Sequence, residues 1–99
     1  MTADPFALAR FEPLVGSGFT LWLDDATSLP ARLVDARAGS GQVPGGRQPF
    51  SLTFEAPAEP ALPQSVYRLD HPQLDDAIDL FLVPIGRVAG AVQYQAVFS

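Results

Sequence analysis

The sequence predicts an all-β domain: six antiparallel strands in a meander that closes into a small barrel, with a short N-terminal helix in front of it. Three observations predict this. Ten Pro and eight Gly interrupt the 99 residues at short intervals and leave few windows for a helix of ordinary length. Apolar and polar residues alternate over several short runs, the period of a half-buried strand. No long helical segment separates those runs, so parallel pairing, which needs a crossover, is disfavoured. A flat six-stranded sheet would expose one face and two edges, and closure into a barrel removes both problems.

The elements follow in chain order. Asp4 before Pro5 is a helix N-cap followed by Pro at the first helical position. Phe6, Leu8 and Phe11 share a helical face, and Pro13 with Gly16 stops the helix after about two turns. A helix so short is marginal alone and must lie on something, either plugging one barrel end or lying along the wall. In the first strand Phe19, Leu21 and Leu23 alternate with Thr20 and Trp22, and Asp24-Asp25 supplies turn chemistry. Leu29 to Ala38 is the second strand, with Pro30 near its start, where Pro is tolerated. Gly39 to Gly46 reads as a loop. Phe50, Leu52 and Phe54 alternate with Ser51, Thr53 and Glu55 in the third strand. Ala56 to Pro63 is a stiff, Pro-rich connection. Val66 to His71, Ala77 to Ile85 and Val92 to Phe98 complete the set, with an acidic turn from Gln73 to Asp76 and glycines 86 and 90 between the last two strands. All 99 residues read as one domain, residues 1–15 being the helix and lead-in.

Composition sets limits on function. At 47% hydrophobic and 17% charged the chain is globular rather than disordered. It contains no Cys, Lys or Asn. Thiolate nucleophiles, cysteine-held metals, disulfides, Schiff bases, the lysine of a phosphate loop and N-glycosylation are therefore excluded. A GC-rich coding sequence accounts for such a bias. The net charge of −5 and six scattered Arg provide no basic stripe, so no nucleic-acid partner is expected. The same charge disfavours anionic membranes. Residues 1–11 carry no basic segment followed by a long apolar run, so cytoplasmic synthesis without a signal peptide is expected. No stretch approaches the roughly 20 apolar residues of a membrane-spanning helix.

The fifth strand departs from alternation. Leu80, Phe81, Leu82, Val83, Pro84 and Ile85 are apolar on both faces, so something covers the second face. Leu80 and Leu82 continue the face of Ile78 and are assigned inward. Asp79 marks the other face as nearer water, which leaves Phe81 and Val83 outward. Two coverings are open: the N-terminal helix through Phe6, Leu8 and Phe11, or a partner chain. Trp22 also faces out if Phe19, Leu21 and Leu23 face in. Trp22, Phe81 and Val83 are accordingly the candidate partner-binding residues.

Several blocks carry a family resemblance: Phe11-Glu12-Pro13-Leu14-Val15-Gly16 with Phe19, Pro49-Phe50-Ser51-Leu52-Thr53-Phe54, Leu62-Pro63-Gln64-Ser65-Val66-Tyr67-Arg68-Leu69-Asp70-His71-Pro72, Leu80-Phe81-Leu82-Val83-Pro84-Ile85-Gly86 and Tyr94-Gln95-Ala96-Val97-Phe98. They cover nearly the whole chain after residue 10. The third and fourth are the most distinctive, the rest being core and turn residues. The chain resembles a small, uncharacterised bacterial all-β family, catalogued as a domain of unknown function. Genes of that family often stand beside phage-tail-collar-like proteins. The resemblance implies a fibre-like or tail-like assembly; it is an association and implies no chemistry. The Gly39–Gly46 loop and Asp75-Asp76 depart from the expected pattern, as variable contact loops do.

No constellation assembles a reaction centre. His71 is the only histidine. Its neighbour Asp70 points to the opposite strand face, and neither Ser51 nor Ser65 has nucleophile-elbow spacing. A His-Pro step at a strand end reads as a satisfied turn. Asp70, Asp75, Asp76 and Asp79 surround one turn but lack the spacing of a calcium loop. The Gly-rich segment from Gly39 to Arg47 has neither a following helix nor a lysine to hold phosphate. Trp22, Tyr67, Tyr94 and the seven Phe are candidates for a sugar platform, but at strand spacing aromatics are more often core. No catalytic residue, cofactor site or metal site is assigned. The expected function is a non-enzymatic structural or adaptor module that binds another protein or itself, within a phage-tail-like or fibre-like assembly. A small-molecule-binding barrel is the alternative and an enzyme ranks last. Filling of the interior by Phe50, Phe54, Tyr67 and Leu82 would leave no pocket and would separate the first two readings.

Overall fold

The computed structural model describes residues 8–39 and 49–98. A single helical turn, α1 (Leu8–Phe11), runs into a 3-10 turn over Glu12–Leu14. Six strands follow: β1 (Gly18–Trp22), β2 (Ser28–Ala38), β3 (Phe50–Pro57), β4 (Ser65–Asp70), β5 (Ile78–Val88) and β6 (Ala91–Phe98). They form a closed antiparallel barrel, as the sequence predicts. The expected cap at Asp4-Pro5, the Phe6 contact and loop residues 40–48 lie outside the described residues.

The connectivity corrects one expectation. The strand order around the barrel is β1-β2-β3-β6-β5-β4, so the chain forms two three-stranded meanders rather than one of six. β3 pairs along its whole length with β6, from Phe50 opposite Phe98 to Pro57 opposite Ala91. β4 closes the ring against β1 over three pairs, Thr20–Asp70 to Trp22–Arg68. The cause lies in residues 58–64. That Pro-rich stretch is too stiff and too long for a tight hairpin, so it crosses the barrel end instead of returning beside β3. The crossing is anchored from below: the Leu62 amide donates to the Tyr94 hydroxyl at 3.0 Å, and the Leu62 side chain is buried.

Alternation places the core. On β3, Phe50, Leu52, Phe54 and Ala56 are all buried while their neighbours are half-exposed. Phe19, Leu21, Leu33, Leu69, Leu80, Leu82 and Tyr94 meet them from the other strands. Phe19 meets Phe54 edge-on at 5.3 Å. Tyr67, expected as interior filling, is half-buried, packs against this cluster and donates its hydroxyl to the Pro63 carbonyl at 2.6 Å. Tyr94 fills the interior instead, fully buried. β2 carries a bulge between Leu33 and Asp35, and β5 another between Pro84 and Gly86. Each bends a long strand so that its two halves pair with different neighbours.

The helical segment plugs the barrel end opposite the crossover. Phe11 is fully buried against Phe50 and Phe98, with ring centroids 6.1 and 6.2 Å away, and those two stack at 4.4 Å. Leu14 is buried beside them. Gly16, with φ of +92°, turns the chain from this plug into β1, a conformation that favours glycine.

Candidate functional site

The outer wall formed by β4, β5 and β6 carries the exposed large apolar side chains of the described residues apart from Val15. Tyr67 and Leu69 turn inward on β4, so Val66, Arg68 and Asp70 turn outward. On β5, Leu80 and Leu82 are buried as predicted, and Phe81 stands outward, 52% exposed. Val66, 60% exposed, lies directly opposite Phe81 in the β4–β5 register. Val83, half-buried, lies opposite Gln95 of β6, and Val97, two residues beyond Gln95, is 70% exposed. Ile85 continues the row on β5 and is also exposed. Val66, Phe81, Val83 and Val97 thus make an apolar strip across three neighbouring strands. The covering helix, one of the two options left open by the sequence, does not reach it through its described residues: Phe11 turns into the barrel end.

Trp22 lies one strand further round. It is opposite Arg68, and Arg68 is opposite Asp79, to which it forms an exposed ion pair at 3.6 Å. The indole N–H donates to the Asp70 carboxylate at 2.7 Å, which fixes the ring against β4. A shallow groove runs here between Trp22, Asp24, Asp25, Val66, Arg68 and Asp79. Phe81 and Val83 are therefore brought together by the fold, whereas Trp22 meets them only through Val66. Val66 was missed by sequence reasoning. Its signal was present, since the offer of Tyr67 as interior filling puts Val66 on the outer face.

The acidic residues do not converge. Asp70 is engaged by Trp22 and Asp79 by Arg68, and Asp75 and Asp76 are exposed in the turn. Among the described residues no group of three or more His, Asp or Glu is placed to hold a metal ion. Asp24 closes the β1–β2 turn as expected of an Asp bonding its own backbone. Its Oδ1 accepts from the Ala26 and Thr27 amides, both at 2.8 Å. Those bonds lower its pKa below the ordinary carboxylate value.

His71 follows β4 and is buried, its ring 4.6 Å from that of Phe19. The Gln73 amide donates to Nδ1 at 3.0 Å. Nδ1 must then carry a lone pair, which puts the proton of the neutral ring on Nε2. Nε2–H faces Ser17 Oγ at 2.8 Å, and the Ser17 hydroxyl donates onward to the Leu14 carbonyl. Burial holds the pKa of His71 below its ordinary value. A serine–histidine hydrolase needs the reverse arrangement, with Nε2 accepting from the serine and Nδ1–H donating to an acid. Here Nδ1 accepts, and Ser17 Oγ accepts a hydrogen bond from the ring rather than donating one to it. Ser17 was not among the serines singled out in the sequence. The pair spans 54 positions and has no local signature. Ser51 instead lies opposite Val97 on the outer face, and Ser65 opens β4.

Among the described residues no helix is long and apolar enough to cross a membrane. No curated protein and no solved structure matches the chain significantly. The whole barrel and its plug fall within the stretch shared with one family, and the chain belongs to that family, the domain of unknown function DUF6916, matched over residues 6–98.

Proposed function

We propose that this protein is a non-enzymatic structural or adaptor module that binds another protein, or a second copy of itself, through the outer wall of β4, β5 and β6. One observation carries the reading: Val66, Phe81 and Val97 are 60, 52 and 70% exposed on adjacent strands. Isolated apolar side chains on a surface need no explanation, but a contiguous strip does. The interior supports the same reading. Phe54, Leu52, Leu82 and Tyr94 fill the barrel, and Leu62 and Phe11 close its ends, so a small molecule would have to displace core side chains. His71 and Ser17 hold their protons on the wrong atoms for acyl transfer. The setting we propose is a bacterial phage-tail-like or fibre-like assembly, and it rests on the family resemblance alone.

The test is sedimentation of the wild-type chain and of Val66→Ser/Phe81→Ser, combined with pull-downs against the products of neighbouring genes. The wild type should self-associate or retain a partner. The variant should lose that contact while keeping its β-sheet circular dichroism. A wild-type monomer that retains no partner would remove the support for this reading.

A further inference from the structure

Tyr94 aside, His71 is the only polar or charged side chain in the buried class among the described residues, and it joins two corners of the chain. One corner is the link from the 3-10 turn into β1. There the Ser17 amide and hydroxyl both donate to the Leu14 carbonyl, the Gly16 amide donates to the Leu33 carbonyl at 2.6 Å, and the Leu33 amide donates to Ser17 O at 3.1 Å. The other corner is the turn after β4, where the Gln73 amide reaches Nδ1 and the Leu74 amide reaches the His71 carbonyl. The imidazole is the side-chain link between them. Leu14 and Phe11, which fill the barrel end, lie just upstream of the first corner.

The neutral ring is fully matched: one nitrogen accepts and the other donates. A second proton cannot be accommodated in this geometry. It would sit on Nδ1 and point at the Gln73 N–H, donor against donor with no acceptor between. The resulting charge would also be unpaired. The groups that touch the ring are Ser17, Phe19 of β1 and the Gln73 amide, all uncharged. The charged residues on α1, the 3-10 turn, β2, β4 and the turn after β4 are Arg10, Glu12, Arg32, Asp35, Arg37, Arg68, Asp70, Asp75 and Asp76, all exposed or half-buried. Asp70 is already engaged by Trp22, and desolvation is what displaces the ring's titration.

We propose that His71 is an acid-sensitive latch on the N-terminal plug: protonation of its Nδ1 parts the corner at residues 14–17 from the corner at 71–74. Parting frees α1 and the 3-10 turn from the barrel end and bares the stacked Phe50 and Phe98 rings. The β3–β6 ladder stays paired, because it contains no part of the latch. The device exchanges a sealed end for an aromatic surface as the pH falls.

The experiment is a titration of the intact chain by NMR between about pH 8 and pH 5, the range in which histidine changes charge. It follows the imidazole 15N shifts of His71 and the hydrogen-exchange protection factors of the backbone amides. At the upper end the ring should be the Nε2–H tautomer. As His71 titrates, protection at Gly16 and Gln73 should fall by about tenfold or more while Leu52 and Tyr94 hold theirs. In Ser17→Ala the ring still titrates but is cut from the plug, so Gly16 should no longer follow it. In His71→Gln, protection at Gly16 should not vary with pH. Unchanged protection at Gly16 and Gln73 across the titration would overturn the latch. So would an equal loss in β3 and β6, or the same pH response in Ser17→Ala.

Discussion

Tyr94 and His71 are polar side chains set into an apolar barrel, and each has its polar atoms matched. The Tyr94 hydroxyl accepts the Leu62 amide inside the crossover. Tyr94→Phe keeps the ring and strands that amide, so urea unfolding should show a loss of about 1–3 kcal/mol. Phe54, buried at the centre of β3 against Phe19, is a packing residue only. Phe54→Ala should cost roughly 3–5 kcal/mol, and a variant as stable as wild type would show that β3 turns its other face inward. His71 makes stability depend on pH in a definite direction. Its folded pKa lies below the unfolded value. Above about pH 6.5 both states are neutral and His71 adds no slope. As the pH falls below that value the unfolded chain binds the proton first. The free energy of unfolding should therefore decline until the pH reaches the folded pKa, and His71→Gln should flatten that window. Asp24, also lowered, acts in a more acidic window, where its turn bonds are lost as the pH falls through its folded pKa. Of these residues, Phe54 was legible from alternation alone. His71 was legible only as a satisfied turn residue. Its partner Ser17 was not legible, because their contact is made by folding and leaves no spacing in the sequence.

At the scale of elements, the strands were legible and their neighbours were not. Alternation depends on one residue and the next, so β1, β3 and β6 could be placed within a residue or two at each end. Pairing depends on which hydrogen-bonding edge is free after the chain has turned, and the sequence gives no local sign that β3 meets β6 rather than β4. The stiffness of Ala56 to Pro63 was readable, but not that Ala56 and Pro57 still belong to β3 or that Leu62 is anchored beneath Tyr94. The bulges in β2 and β5 were likewise invisible, and β5 runs three residues beyond its expected end at Ile85. The plug is short and holds by burial rather than by its own helical bonds. Phe11→Ala should cost roughly 3–5 kcal/mol in urea unfolding, as for other fully buried Phe. A cost below about 1 kcal/mol would mean that the barrel end is sealed without it. The acidic turn between β4 and β5 is solvated, and its carboxylates are exposed or engaged elsewhere. Calcium should leave the melting temperature unchanged. A real site saturated at ~100 times its Kd would add about 2.7 kcal/mol, which calorimetry would detect and Asp75→Ala/Asp76→Ala would abolish.

At the scale of the molecule, the question is where a filled barrel can meet anything else. Its ends are occupied by Leu62 and Phe11, which leaves the outer wall. The wall is uneven: Glu55–Gln93 and Arg68–Asp79 pair polar groups across neighbouring strands, while Val66, Phe81 and Val97 expose apolar surface between those pairs. The two kinds of surface respond differently to salt, and that difference identifies the contact. A contact made by Val66, Phe81 and Val97 is driven by removing apolar surface from water, which sulfate strengthens. A contact made by the Trp22 groove, bordered by Asp24, Asp25, Arg68 and Asp79, would be electrostatic and screened as ionic strength rises. The net charge of −5 acts in the same sense for self-association, since screening relieves repulsion between like-charged copies. Sedimentation should therefore show association that persists or tightens from low to high sulfate. Single substitutions should rank by their place on the strip. Phe81→Ser and Val66→Ser face each other and should weaken association most. Val83→Ser, half-buried, should follow. Trp22→Ser should matter least, because its indole is held by Asp70 and lies beyond the strip. Association that dissolves in high salt and depends chiefly on Trp22 would move the contact from the β4–β6 wall to the groove beside β1.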